Sequence, residues 1–275
     1  YNTRTLDEAQ KNGKAQALLM AGTNDPRQFC LEALIAAGVS KKYAQNLIYT
    51  VEDRTGGMSY DELGKLAQPV KSGKADVSVL NIKLLFAIAE NTHWDGINDA
   101  YENLRLLAES VHDGKADARV LNTSMLITIA EKARNNTRVA YRELQRLAES
   151  AKSGEIDDRT LNTDLLTSIA EKARGTTSGA YRELYWLAKS VKSGEADAGA
   201  LEKNQLIRIA EKAGSGTYSA YNIFRLLVES KESGKADAGV LVEELFATIA
   251  ENAGENKDVA CDALSKLADS VEAEK

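Results

Sequence analysis

Residues 141–180, YRELQRLAESAKSGEIDDRTLNTDLLTSIAEKARGTTSGA, align without a gap on residues 181–220, YRELYWLAKSVKSGEADAGALEKNQLIRIAEKAGSGTYSA, and agree at about half of their positions. A period of about forty residues is the signature of stacked supersecondary units, and it decides the fold before any single motif does. The frame continues backward from Tyr101 and forward from Tyr221, and the unit starting at Tyr60 needs one extra residue in its loop before Ala100. About five units therefore follow one another, with a terminal helix after them.

Within a unit the apolar residues recur at helical spacing. Ala140, Leu144, Leu147, Ala148 and Ala151 fall on one face of a first helix. Glycine at 73, 114, 154, 194 and 234 stands where a left-handed C-terminal cap belongs. Aspartate at 76, 117, 157, 197 and 237 then reads as the N-cap of a short helical turn that reaches leucine at 80, 121, 161, 201 and 241. A second long helix carries Leu126, Ile129, Ala130 and Ala133, repeated as Leu166, Ile169, Ala170 and Ala173. Alternating strand patterns are missing, and only Pro26 and Pro69 interrupt the chain. The expected fold class is all-α. A lone two-helix unit cannot bury its own apolar faces, so the units are expected to stack into an α-solenoid with one continuous core.

Ahead of the repeats, Asp25 and Pro26 open a helix running to Ala37, Gly38 closes it, and a second helix runs from Ser40 to about Asp53. With an earlier helical stretch from about Leu6 to Ala21, they make residues 1–55 an N-terminal helical capping region. Residues 56–275 form the repeat solenoid, ending in a capping helix from Val259 to Glu272. Gly56 and Gly57 mark a flexible joint between the two regions.

Composition removes several function classes. The chain of 275 residues is 43% hydrophobic and 28% charged, the makeup of a core-forming protein. Its net charge of -6 argues against whole-molecule attraction to nucleic acid or anionic lipid. No apolar run approaches the roughly 18 residues of a membrane span, so no integral membrane protein is expected. Cys30 and Cys261 are the only cysteines, which excludes a disulfide framework and a four-cysteine zinc site. With only His93 and His112, the usual catalytic triads and histidine-rich metal sites lack their materials. Neither metal nor cofactor is expected, and no residue set supports an enzyme. The chain opens at Tyr1 without Met, which reads as a processed or trimmed product and assigns no compartment.

Columns of equivalent residues separate scaffold from site. Tyrosine at 60, 101, 141, 181 and 221 is expected to wedge between units, its hydroxyl on a polar partner. Glutamate at 90, 131, 171, 211 and 251 gives each carboxylate the same surroundings, whereas a catalytic pair requires unlike ones, so this column reads as a solvated or hydrogen-bonded ladder. Columns that change between units are better candidates for recognition. Positions 106, 146, 186, 226 and 266 lie nearly opposite the apolar face of the first helix and read Leu, Arg, Trp, Leu, Lys. Tyr185 and Ile223 sit beside that ridge, and Arg146, Arg182 and Arg225 flank it. Tryptophan, tyrosine and arginine are the usual interface anchors. Leu106, Arg146, Arg182, Tyr185, Trp186, Ile223, Arg225 and Leu226 are therefore the candidate residues for a protein or peptide partner.

The period, the short first helix and the two packed longer ones from Tyr60 to Ser270 resemble the HEAT and armadillo families of helical repeats. That resemblance implies a solenoid scaffold for protein partners. A second likeness runs through Leu161-Asn162-Thr163, Ile169-Ala170, a variable loop and Ala180-Tyr181 with Leu184 and Leu187, which is similar to the repeats of transcription-activator-like effectors. That family reads DNA bases through the inter-helix loop, which here is longer and lacks the paired glycines followed by Lys or Gln. Under this alternative the nucleic-acid contacts fall to Lys132, Arg134, Arg138, Lys172 and Arg174. The five inter-helix loops together carry a formal charge of -2, whereas a duplex-tracking surface needs positive charge at every step. The expected function is a non-enzymatic interaction scaffold, with the nucleic-acid reader as its alternative.

Overall fold

The computed structural model describes residues 25–56 and 59–232. The proposed caps at Leu6 to Ala21 and Val259 to Glu272, with Gly57, Gly234, Asp237, Leu241, Glu251, Cys261 and Lys266, lie outside the described residues. Every regular element among the described residues is helical, and the class is all-α. The α-helices are α1 (Pro26–Ala36), α2 (Lys41–Thr55), α3 (Tyr60–Lys71), α4 (Ile82–Asn91), α5 (Ile97–His112), α6 (Thr123–Ala133), α7 (Thr137–Lys152), α8 (Thr163–Ala173), α9 (Thr177–Ser193), α10 (Lys203–Ala213) and α11 (Thr217–Glu232).

Local chemistry sets their ends. Asp25 accepts a hydrogen bond from the Arg27 amide at 2.9 Å and Pro26 fills the first helical position, so α1 starts where the sequence places it. Helix α2 runs on to Thr55, past the expected Asp53, because Gly56 at φ 61° caps it. Pro69 does not break α3: it falls in the last turn, where few backbone bonds remain for it to remove. The recurrent glycines 73, 114, 154 and 194 hold φ between 70° and 79°, a left-handed turn that lets the chain reverse after α3, α5, α7 and α9. Asp76, Asp117, Asp157 and Asp197 then each accept from the amide two residues on, capping 3-10 turns at Val77–Leu80, Ala118–Leu121, Asp158–Leu161 and Ala198–Leu201.

The helices pack in two rows. In one row α1, α3, α5, α7, α9 and α11 each lie against the next, and in the other α2, α4, α6, α8 and α10 do so. A single apolar cluster runs between the rows from Cys30 to Phe224. At the start of the first row Gly64 allows a close approach, since a Cβ there would meet the Phe29 ring at 2.9 Å.

The tyrosine column is core. Tyr101, Tyr141, Tyr181 and Tyr221 are fully buried, and their hydroxyls donate to the carbonyls of Leu85, Leu126, Leu166 and Leu206 at 2.8–3.0 Å. Each therefore pins a first helix to the second helix before it in the chain. Glu90, Glu131, Glu171 and Glu211 are exposed instead. Thr137, Thr177 and Thr217, at the starts of α7, α9 and α11, are fully buried. Their hydroxyls donate to the carbonyls of Arg134, Arg174 and Gly214 at 2.5–2.6 Å, fixing the tight connection from each second helix to the next first helix.

Candidate interaction ridge

The outward side of the first row carries a repeating polar device. On α5 Arg105 donates to both oxygens of Glu109 at 3.0 Å, on α7 Gln145 donates to Glu149 at 2.8 Å, and on α11 Arg225 donates to both oxygens of Glu229 at 3.1 Å. At two of these junctions the preceding helix adds a serine: Ser110 donates to Glu149 at 2.6 Å, and Ser190 donates to Glu229. Adjacent helices are thus latched through a carboxylate held in place by its own i−4 neighbour.

Helix α9 departs from this pattern. It has Tyr185 and Lys189 where its neighbours have the donor and the glutamate. Ser150 turns instead to Glu155, in the connection after α7, and donates to its Oε2 at 2.9 Å. Oε1 of Glu155 accepts from the Tyr185 hydroxyl at 2.8 Å and from Lys189 at 2.9 Å. The Lys189 ammonium, then the Tyr185 and Ser150 hydroxyls, hold the Glu155 carboxyl down at about 2, so it is ionised throughout the neutral range. The latch survives with its polarity reversed.

Trp186 stands above that reversed latch. It is 40% exposed, its ring centroid 5.1 Å from that of Tyr185 in an edge-on arrangement. The Arg146 guanidinium lies 3.9 Å from the Tyr185 centroid and 5.4 Å from that of Trp186, and the Lys189 ammonium is 5.5 Å from the latter. Two cations and a perpendicular phenol therefore brace the indole while leaving much of it in water. Leu106 on α5 and Leu226 on α11 occupy the equivalent position and are also exposed. The row Leu106, Arg146, Trp186, Leu226 thus crosses four successive helices of the first row, α5, α7, α9 and α11, on its outward side.

Three of the expected ridge residues serve packing. Tyr185 and Ile223 are buried at 3% and 2% exposure, and Tyr185 lies under the Arg146 guanidinium of α7. Arg225 is tied to Glu229, to Asn222 at 3.0 Å and to Glu183 at 3.5 Å, which spends its guanidinium on the α9–α11 junction. Glu183 is itself buried, and burial raises its pKa against the opposing pull of Arg225 and Arg182. Arg182 remains exposed, with its guanidinium 5.3 Å from the Tyr218 ring centroid. Sequence reading missed Lys189 and Glu155. The signal was there: the column 109, 149, 189, 229 reads Glu, Glu, Lys, Glu.

The basic loop residues gather along one edge. The inter-helix turns Arg134–Asn136, Arg174–Thr176 and Gly214–Gly216 stack, with Asn136 donating to the Gly175 carbonyl at 2.5 Å and Thr176 to the Ser215 carbonyl at 2.8 Å. Lys132, Arg134 and Arg174 are exposed there and Lys172 half-buried, and none of the four makes an ion pair among the described residues. Arg138 is neutralised by Asp99. Arg134 and Arg174 adopt φ 50° with ψ −117° and −122°, a region that Gly214 occupies in the equivalent turn.

No cluster of His, Cys, Asp and Glu among the described residues is arranged to hold a metal ion. Among those residues, no helix is long and apolar enough to cross a membrane. Compared with protein-family models, curated proteins and solved structures, the chain matches none.

Proposed function

We propose that the chain is a non-enzymatic α-solenoid scaffold of about five forty-residue units, built like the HEAT and armadillo repeats, that binds a protein or peptide across several units. The observation that carries the reading is Trp186: a large aromatic side chain held half in water by Arg146, Tyr185 and Lys189, on the helix where Tyr185 and Lys189 rebuild the latch with reversed polarity. A scaffold position that only packs would be buried, as the tyrosine column is. An indole braced and exposed loses little freedom when a partner covers it, which is the character of an interface anchor. Leu106, Arg146, Arg182 and Leu226 are the accompanying contacts. The test is capture of a partner by the whole chain from lysate, compared with Trp186→Ala combined with Leu226→Ala. The double variant should lose the partner while its helicity and melting temperature hold; unchanged capture would refute the ridge.

A second reading, a nucleic-acid reader, draws on the stacked loops, where Lys132, Arg134, Lys172 and Arg174 carry charge that no acidic side chain among the described residues pairs. It requires duplex binding that weakens steeply between about 50 and 200 mM salt. Absence of binding at low salt removes it.

A further inference from the structure

The partner's chemistry can be read from the ridge, and the argument rests on the ridge reading above. The whole chain is acidic at -6, yet its charge is not evenly spread over the first row. Helix α5 has a formal charge of −2, with Asp99, Glu102 and Glu109 against Arg105. Helix α7 has +2, with Arg138, Arg142, Arg146 and Lys152 against Glu143 and Glu149, and α9 has +2, with Arg182, Lys189 and Lys192 against Glu183. Burial sharpens the contrast. The Glu143 and Glu183 side chains are only 12% and 7% exposed, lying beneath Arg142, Arg146 and Arg182, whose side chains are 65%, 41% and 45% exposed. Around Trp186 the exposed charges are therefore Arg142, Arg146 and Arg182 over the sunken Glu143 and Glu183, together with the Lys189–Glu155 pair, whose two charges offset each other, so the net positive charge is that of the arginines.

The spacing of the row adds geometry. Packed helices lie about 8–10 Å apart. Two turns of an α-helix advance about 10.8 Å, so one face of a helix laid across the row returns every seven residues at close to the same interval. The four ridge side chains include no Asn or Gln that would pair with an extended peptide backbone, whereas a helix satisfies its own backbone groups.

We infer that the ridge receives an acidic amphipathic helix laid across α5, α7, α9 and α11, with apolar side chains seven residues apart on Trp186 and Leu226, a carboxylate one interval before them on Arg146, and a further apolar side chain on Leu106. The partner segment is at least about 22 residues long, three intervals of seven plus one.

A display library of 24-residue helix-compatible peptides, randomised between acidic, basic and apolar residues on one face, selected against the full chain, tests this. Recovered clones should be acidic, carry apolar residues at intervals of seven, bind Trp186→Ala at least tenfold more weakly, and weaken with salt. Arg146→Glu should also lose at least tenfold, and exchanging the matching peptide glutamate for lysine should restore it. Clones that need Trp186 but are basic or extended overturn the acidic helix and leave the ridge standing. Clones that bind Trp186→Ala and Leu226→Ala as well as they bind the parent chain overturn both. Recovery of no clone, or displacement of the acidic clones by a short DNA duplex at equal concentration, also overturns the inference.

Discussion

Replacing Tyr181 by phenylalanine removes one oxygen atom from the centre of the molecule and nothing else. The ring is fully buried, so the apolar contacts and the volume stay, and no cavity forms. What is lost is the hydroxyl's bond to the Leu166 carbonyl at 2.9 Å, which ties α9 to α8. A neutral intramolecular hydrogen bond is worth about 1 kcal/mol net, so Tyr181→Phe should cost about 1 kcal/mol. Tyr101, Tyr141 and Tyr221 make the same bond to Leu85, Leu126 and Leu206, so the same change at each should cost the same within about 0.5 kcal/mol. Urea unfolding followed by far-ultraviolet circular dichroism measures it, with an unchanged slope against denaturant. Tyr101 and Tyr181 lie on first-row helices separated by α7, so the Tyr101→Phe/Tyr181→Phe pair should add. Losses below about 0.3 kcal/mol at all four positions would refute the account of the column as a set of tertiary hydrogen bonds. Losses near 4 kcal/mol would refute it from the other side, because that size belongs to a cavity.

Three further outcomes follow from named contacts. Arg134→Gly and Arg174→Gly should each raise stability by about 1 kcal/mol in the same assay, because both arginines sit at φ 50° in a turn that Gly214 fills without strain, and Gly214→Arg should do the reverse. The Glu155 carboxyl lies at about 2, below its ordinary value of 4.5, so the stability it contributes is present above about pH 4.5 and lost as pH falls through 2. Solvent screening at a carboxylate this exposed holds that contribution to about 1 kcal/mol, so Glu155→Gln should melt lower than the parent at pH 6 and alike at pH 2. Burial pushes the Cys30 thiol up to about 12, so iodoacetamide at pH 8 should leave the Cys30 peptide unlabelled by mass mapping until urea unfolds the chain.

The ridge shows why part of the site was legible and part was not. Leu106, Trp186 and Leu226 could be placed on an outer helix face because helical periodicity fixes which side of a helix a residue occupies. Tyr185 and Arg225 are one residue from that ridge, at an angle where burial depends on how closely the next helix approaches. Periodicity of one helix carries no information about that approach. Glu155 was invisible for a related reason: it reaches Tyr185 and Lys189 across thirty and thirty-four residues, a pairing that exists only once the connection after α7 folds back beside α9.

The sequence alone determined the all-α class, the glycine and aspartate stops between helices, and the packed tyrosine column, because caps and amphipathic spacing are local consequences of side-chain chemistry. The tertiary structure decided the partners of each column. It joined the tyrosine hydroxyls to leucine carbonyls fifteen or sixteen residues back, matched Ser110 and Ser190 to glutamates one helix onward, and sank Glu143 and Glu183 beneath the arginines of the ridge. Those pairings depend on the distance and angle between helices, which packing of the whole apolar cluster sets and no single period encodes.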